Sequence, residues 1–228
     1  MAADDTLRLY YGGTFDPVHE GHLAIARAAR DALQCTARMM PAANPPHRAP
    51  PGADAAQRAD MLALAIAGED GLCVDRRELQ RDGRSYTVDT LRGVRAEYGD
   101  AMPVALLVGA DSLLGLPAWR EWHALFDLAH LVVAGRPGSD LSRLSDAKLA
   151  EALDGRWTRV AADLRSTPAG RVYRLSQPLH PGAASAVRAR IAAGEPLHGW
   201  VPDAVADYIR RHGLYGAPLH GVPTPPPL

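Results

Sequence analysis

The sequence predicts an α/β protein built on a Rossmann-like, doubly wound parallel sheet with C-terminal helices. Three observations predict it. Short strand-like runs at residues 7–11, 38–40, 72–75, 104–108 and 131–134 alternate with longer segments that read as helices. Two of these runs, Val104-Ala105-Leu106-Leu107-Val108 and Leu131-Val132-Val133-Ala134, are apolar throughout. That marks strands covered on both faces, as in a parallel sheet. Each of the two is stopped by a glycine, Gly109 or Gly135. Ligands of such sheets sit beyond the carboxyl ends of the strands.

The elements follow in order. The strand at 7–11 ends at Gly12-Gly13. After a turn at Asp16-Pro17, a helix runs from about 21 to 34, with Leu23, Ala26, Ala29 and Leu33 at helical spacing. A second strand at 38–40 gives way to a Pro-rich loop over 41–52. Residues 55–67 read as a helix, 72–75 as a strand and 87–98 as a helix. Beyond the two buried strands, 142–153 is helical and 172–175 is a late strand. Helices at 185–193 and 202–212 close the fold. Residues 1–6 form a disordered lead and 216–228 a Pro-rich, disordered tail. No internal repeat divides the chain, so one domain over 7–215 is expected.

Bulk properties exclude several function classes. The 228 residues are 47% hydrophobic and 22% charged, the balance of an ordinary soluble protein. The formal net charge of −1 leaves no basic footprint for nucleic acid, and no Lys/Arg run marks a membrane surface. Cys35 and Cys73 stand in no metal-ligand spacing and read as reduced thiols. The acidic start lacks an apolar signal segment, and no apolar run reaches the length of a membrane span. The expected compartment is the cytoplasm. Monomer and homo-oligomer both stay open.

The chemistry concentrates at the first strand-to-helix junction, Gly12-Gly13-Thr14-Phe15-Asp16-Pro17-Val18-His19-Glu20-Gly21-His22. Two glycines after a strand let backbone approach a bulky anion. The helix start that follows offers N–H groups and a positive dipole end to phosphate. His19 and His22, three apart, share a helical face, and both rings can donate to phosphate oxygens. Gly21 between them is expected to leave that face bare. The segment is neither GxxxxGK[ST] nor GxGxxG, and it lacks zinc-ligand spacing.

GGTFDPVHEGH resembles the signature of the HxGH nucleotidyltransferases. Within that superfamily the chain is similar to the bacterial nicotinate-nucleotide adenylyltransferases. The resemblance also rests on Asn44-Pro45-Pro46-His47-Arg48, Ser85-Tyr86-Thr87-Val88-Asp89-Thr90-Leu91, Gly109-Ala110-Asp111-Ser112-Leu113, Pro117-Ala118-Trp119 and Gly135-Arg136-Pro137-Gly138. It extends from about residue 7 to 215 and is weak over 140–167. It implies adenylyl transfer from ATP to nicotinate mononucleotide, with Mg²⁺ accompanying ATP and no protein metal ligand named.

By the same resemblance, His19 and His22 are catalytic. Gly12, Gly13, Thr14, Phe15, Gly109, Asp111, Arg136, Ser185 and Arg188 are expected at ATP, and Asn44, His47, Arg48, Thr87 and Trp119 at the acceptor. Bland roles compete at some positions: Asp111 and Thr87 as helix caps, Trp119 as core or lid, the Pro-rich loop as a plain surface turn. Ser185 is expected to cap the helix it begins. The family's Ser/Thr-rich run before that helix departs here to Gly182-Ala183-Ala184-Ser185-Ala186-Val187-Arg188, keeping Ser-x-x-Arg but losing hydroxyls. Arg190 is a decoy nearer the helix interior.

Rival readings are a phosphopantetheine-type acceptor, a cytidylyltransferase, nicotinamide mononucleotide as acceptor, and a silent nucleotide-binding protein on the same fold. The phosphopantetheine enzymes generally carry Thr where this chain has His19. The cytidylyltransferases lack the SYTxDTL and PxW segments. The intact His19-Glu20-Gly21-His22 disfavours the silent reading.

Overall fold

The structure is a computed structural model that describes residues 6–45, 52–135, 146–177 and 182–217. Among them are seven strands: β1 (Arg8–Gly13), β2 (Ala37–Pro41), β3 (Leu72–Val74), β4 (Val104–Gly109), β5 (His130–Ala134), β6 (Trp157–Thr158) and β7 (Val172–Leu175). The α-helices between and after them are α1 (Glu20–Leu33), α2 (Ala55–Ala65), α3 (Thr87–Tyr98), α4 (Ala110–Leu114), α5 (Leu125–Leu128), α6 (Ala147–Leu153), α7 (Asp163–Ser166), α8 (Ala184–Ala192) and α9 (Asp203–His212).

All strand pairs are parallel, in the order β3-β2-β1-β4-β5-β7-β6. The chain steps outward from β1 to β3, then returns to lay β4 on the other side of β1. The carboxyl ends of β1 and β4 therefore lead to connections that part in opposite directions. This is the crevice where doubly wound sheets bind ligands.

Alternation along the strands builds two cores. Leu9, Tyr11, Met39, Leu107 and Val132 face the layer that includes α1, α2, α8 and α9. Tyr10, Met40, Leu106, Val108 and Val133 face the layer that includes α3 to α6. Successive strand side chains point to opposite faces, so a run covered on both sides must be apolar at every position. β4 and β5 are the two strands in which that rule was legible. No helix among the described residues is long and apolar enough to cross a membrane.

Boundaries differ from expectation in three instructive ways. β1 extends through both glycines, because Gly12 and Gly13 still pair with Met40 and Pro41 of β2. The helix expected at 142–153 begins at Ala147, capped by Asp146 accepting from the Leu149 N–H at 2.9 Å; residues 142–145 lie outside the described set. β6, α5 and α7 were not foreseen, and α4 only through the capping alternative at Asp111. Each is five residues or fewer, too short for a period to show.

His130 opens β5 with no exposed surface. The Arg171 N–H donates to its Nδ1 at 3.0 Å, so Nε2 carries the proton and donates to the Thr167 carbonyl at 2.8 Å. Protonation would need a proton on the nitrogen that accepts. Burial pulls the ring's pKa below its usual 6.5, against the weaker pull of the Thr167 bond. The unfolded chain therefore binds a proton in a range where the folded protein does not. This stabilisation is full above about pH 6.5 and is lost as pH falls, at up to about 1.4 kcal/mol per pH unit. Urea titrations at pH 7 and pH 5 should show a decline in wild type that is smaller in His130→Gln.

Candidate active site

The site grows from the first loop. Thr14 follows β1, and Phe15 adopts a left-handed backbone conformation (φ 49°) that turns the chain between β1 and α1. Its ring covers Gly13, where an added Cβ would lie 2.9 Å from the ring tip. Phe15 also meets Tyr11 and His22 edge-on, with ring centroids at 5.5 and 5.0 Å. Gly13 is thus small for two reasons: the approach to the cleft and the Phe15 ring behind it.

His19 is the N-cap of α1, and its side chain makes no capping bond. Its ring stacks with that of His22, centroids 3.7 Å apart and planes tilted by 32°. His19 is only 2% exposed, whereas His22 is half-buried. The face beside Gly21 is not bare, contrary to expectation. The His19 ring lies over it, 3.0 Å from where a Cβ would stand, and the Gly182 carbonyl closes the other side at 3.2 Å. Gly21 is needed so that His19 and the start of α8 can both close on α1.

A cavity of about 300 Å³ opens beside this junction. Gly12, Gly13 and Thr14 line it, together with Tyr86, Thr87 and Trp119. Trp119 is half-buried and packs on the core of its face, so core and cavity roles coincide. Thr87 is the first residue of α3, and the N-cap is Tyr86 without a side-chain bond. The capping alternative for Thr87 is therefore incorrect. The start of this twelve-residue helix faces the cavity.

Two segments are tied together at the rim. The Ser85 hydroxyl accepts from the N–H groups of Ala43 and Asn44 at 3.1 and 3.2 Å, and the Ser85 N–H donates to the Asn44 carbonyl at 3.0 Å. Asn44 is thereby fixed beside the start of α3. His47 and Arg48, a few residues on, lie outside the described residues, as does Arg136.

Gly109 ends β4 and is itself the N-cap of α4, with open space where a Cβ would point. Asp111 is exposed in the first turn of α4 and is not its cap, correcting that alternative. Ser185 likewise is not a cap: Ala183 is, and Ser185 is exposed one residue inside α8. The helix therefore starts earlier than the Ser-based reading placed it. Arg188 reaches back to the first loop and donates to the Asp16 carbonyl at 2.6 Å. Arg190 turns away, bonded to the Pro196 carbonyl, paired with Glu195 at 2.7 Å and set over the Trp200 ring.

Sequence reasoning missed Asp16, Arg58, Glu78 and Arg120. Arg58 is 1% exposed and donates to the carbonyls of Thr14, Ala43 and Ala53 at 2.6, 3.2 and 3.2 Å. Glu78 is buried at the cavity and accepts from the Thr90 hydroxyl at 2.7 Å. Arg120 lines the cavity with its guanidinium over the Tyr86 ring, 4.8 Å from the centroid. An Arg at a core-facing helix position, as at Arg58, was the signal available in the sequence.

Fold and site together define an α/β nucleotide-binding enzyme whose cleft opens where the strand order reverses. A cytidylyltransferase-like family model matches residues 10–190. A protein of Stenotrophomonas maltophilia described as a "Probable nicotinate-nucleotide adenylyltransferase" is 62% identical, covering 93% of this chain and 98% of its own. One of the same description from Marinobacter nauticus is 45% identical over 94% and 100%. The chain belongs to the nicotinate-nucleotide adenylyltransferase family of cytidylyltransferase-like proteins. Its fold is shared with Plasmodium falciparum nicotinic acid mononucleotide adenylyltransferase, solved with NaAD, at a TM-score of 0.69 and 14% identity over 92% of this chain and 97% of that one.

Proposed function

We propose that this chain transfers the adenylyl group of ATP to nicotinate mononucleotide, giving nicotinate adenine dinucleotide and pyrophosphate. The observation that carries the reading is the stacked His19–His22 pair at the helix start beside an aromatic-walled cavity. Family membership names the reaction. The compartment we assign is the cytoplasm, in keeping with Cys35 and Cys73 as thiols.

The acceptor's phosphate oxygen attacks the α-phosphorus of ATP in line. A new P–O bond forms as the bond to the bridging oxygen breaks, and its electron pair leaves with pyrophosphate. The attacking oxygen is already an anion, so no strong general base is required. The protein contributes alignment and charge neutralisation.

We assign His19 and His22 to the ATP phosphates, where the rings donate to oxygens that gain charge in the transition state. Gly12, Gly13, Thr14 and Phe15 shape the floor on which the phosphates lie. Gly109, Asp111 and Arg136 take the nucleotide end, and Ser185 and Arg188 face the phosphates from α8. At the acceptor, Trp119 stacks on the pyridine ring, and N–H groups near Thr87 hold its carboxylate. Asn44, His47 and Arg48 cover the acceptor phosphate.

Mg²⁺ is expected with ATP, where it neutralises phosphate charge. The described residues hold no group of three or more His, Cys, Asp or Glu that could cage a metal. A cation carried mostly by ATP oxygens and water needs no such cage.

Purified protein with ATP and Mg²⁺ should release pyrophosphate with nicotinate mononucleotide far faster than with nicotinamide mononucleotide or phosphopantetheine. Preference for either of the others would overturn the acceptor assignment. His22→Ala, and His19→Ala with it, should lower kcat by about a hundredfold or more, the usual cost of losing a preorganised donor. A folded His22→Ala protein with full turnover would refute the role of the pair.

A further inference from the structure

Asp16 is 7% exposed in the loop between β1 and α1, and it gathers groups from three distant parts of the chain. Its carboxylate accepts from the N–H groups of Gly52 and Ala53 at 2.9 and 3.2 Å, just ahead of α2. The same carboxylate accepts from the Tyr215 hydroxyl at 2.7 Å, across 199 residues of sequence. Its backbone carbonyl accepts from Arg188 of α8 at 2.6 Å. The Arg58 guanidinium lies close enough for its charge to feel that of Asp16.

Tyr215 is built into this position. It follows α9 in a left-handed conformation (φ 58°), and its ring lies against Gly52, where an added Cβ would come within 2.8 Å. Both features would be costly in an ordinary surface residue. Left-handed backbone disfavours aromatic side chains, and a glycine is reserved for the ring. Burial, together with the Asp16 bond, pushes the phenol well above the ordinary tyrosine range, so the hydroxyl remains a donor.

We infer that Tyr215 is a positioning residue for ATP: through Asp16 it fixes the loop that carries His19 together with the α8 arginine that faces the phosphates. It need not touch substrate. Asp16 stands three residues before His19 and one after Phe15, whose ring contacts His22. The Asp16 carbonyl also holds Arg188. The Tyr215 hydroxyl, with the Gly52 and Ala53 N–H groups, therefore helps to set Asp16 between the histidine pair and Arg188, the two sets of donors that must converge on one triphosphate. In-line transfer is sensitive to such separations, since a misplacement of about 1 Å can cost about a hundredfold. The aromatics Tyr86 and Trp119 pack on the opposite face of the sheet from Tyr215 and make no direct contact with Asp16 among the bonds above. The inference rests on the adenylyl-transfer reading above.

Tyr215→Phe keeps the ring on Gly52 and removes only the hydroxyl. Steady-state kinetics should show kcat/KM for ATP reduced by at least about fivefold, while KM for nicotinate mononucleotide stays within about twofold. Wild-type kinetics toward ATP in the folded variant would overturn the inference. So would an equal rise in both KM values, which a merely structural role would give. If Tyr215→Phe does not fold, Gly52→Ala tests the same linkage by displacing the ring. It should lower kcat/KM for ATP, and a folded Gly52→Ala protein with unaltered ATP kinetics would overturn the inference. A wild-type protein inactive with ATP and nicotinate mononucleotide would instead defeat the parent reading.

Discussion

The site depends on one buried guanidinium. Arg58 leaves α2 and donates to the carbonyls of Thr14, Ala43 and Ala53, the loops after β1 and β2 and a residue just before α2. Loops cannot bury backbone without partners, since an unmet carbonyl in the interior costs about 1–3 kcal/mol. Arg58 meets three at once with a planar fork that a lysine could not reproduce. Burial lowers its pKa, and the negative charge of Asp16 opposes that shift. The guanidinium charge thus lies beneath the loops met by three carbonyls and by the nearby charge of Asp16.

Further order propagates from that point. Ala43, held by Arg58 through its carbonyl, gives its N–H to Ser85, and so brings the start of α3 to the cavity. Thr14, held in the same way, leads into the turn at Phe15 and on to the histidine pair. The loop that leads to the histidine pair and the start of α3 at the cavity are thus linked by hydrogen bonds to main chain. A reaction that needs no protein nucleophile and no strong base asks for this kind of scaffold. Its rate depends on where the phosphates are held and how their charge is met.

Much of this was legible in the sequence, and the reasons differ by level. β4 and β5 could be read because double-sided burial leaves an unbroken apolar run, and α1 and α3 because their apolar positions recur over three turns. β6 could not, since two residues carry no period. At the site, Gly12, Gly13, His19, His22, Thr87 and Trp119 fall in local motifs; the structure sets Gly12, Gly13, Thr87 and Trp119 around one cavity and the His19 and His22 rings against each other at the start of α1. Asp16 and Arg58 were invisible as partners because the bonds that tie them to other loops span 36 and 44 residues of sequence, and Tyr215 because its bond spans 199. The capping readings at Thr87, Asp111 and Ser185 failed for a common reason. Residue type marks a helix start only to within a position or two, and each cap fell one or two residues earlier.

The proposed reaction is a direct transfer, in which the protein aligns two phosphates and forms no bond to either. The stereochemical course at the α-phosphorus reports on this without ambiguity. ATP made chiral at that atom by a sulfur substitution would be turned over with nicotinate mononucleotide, and the configuration of the dinucleotide determined. A single in-line displacement predicts inversion. Retention would require two displacements through an adenylylated side chain and would contradict direct transfer.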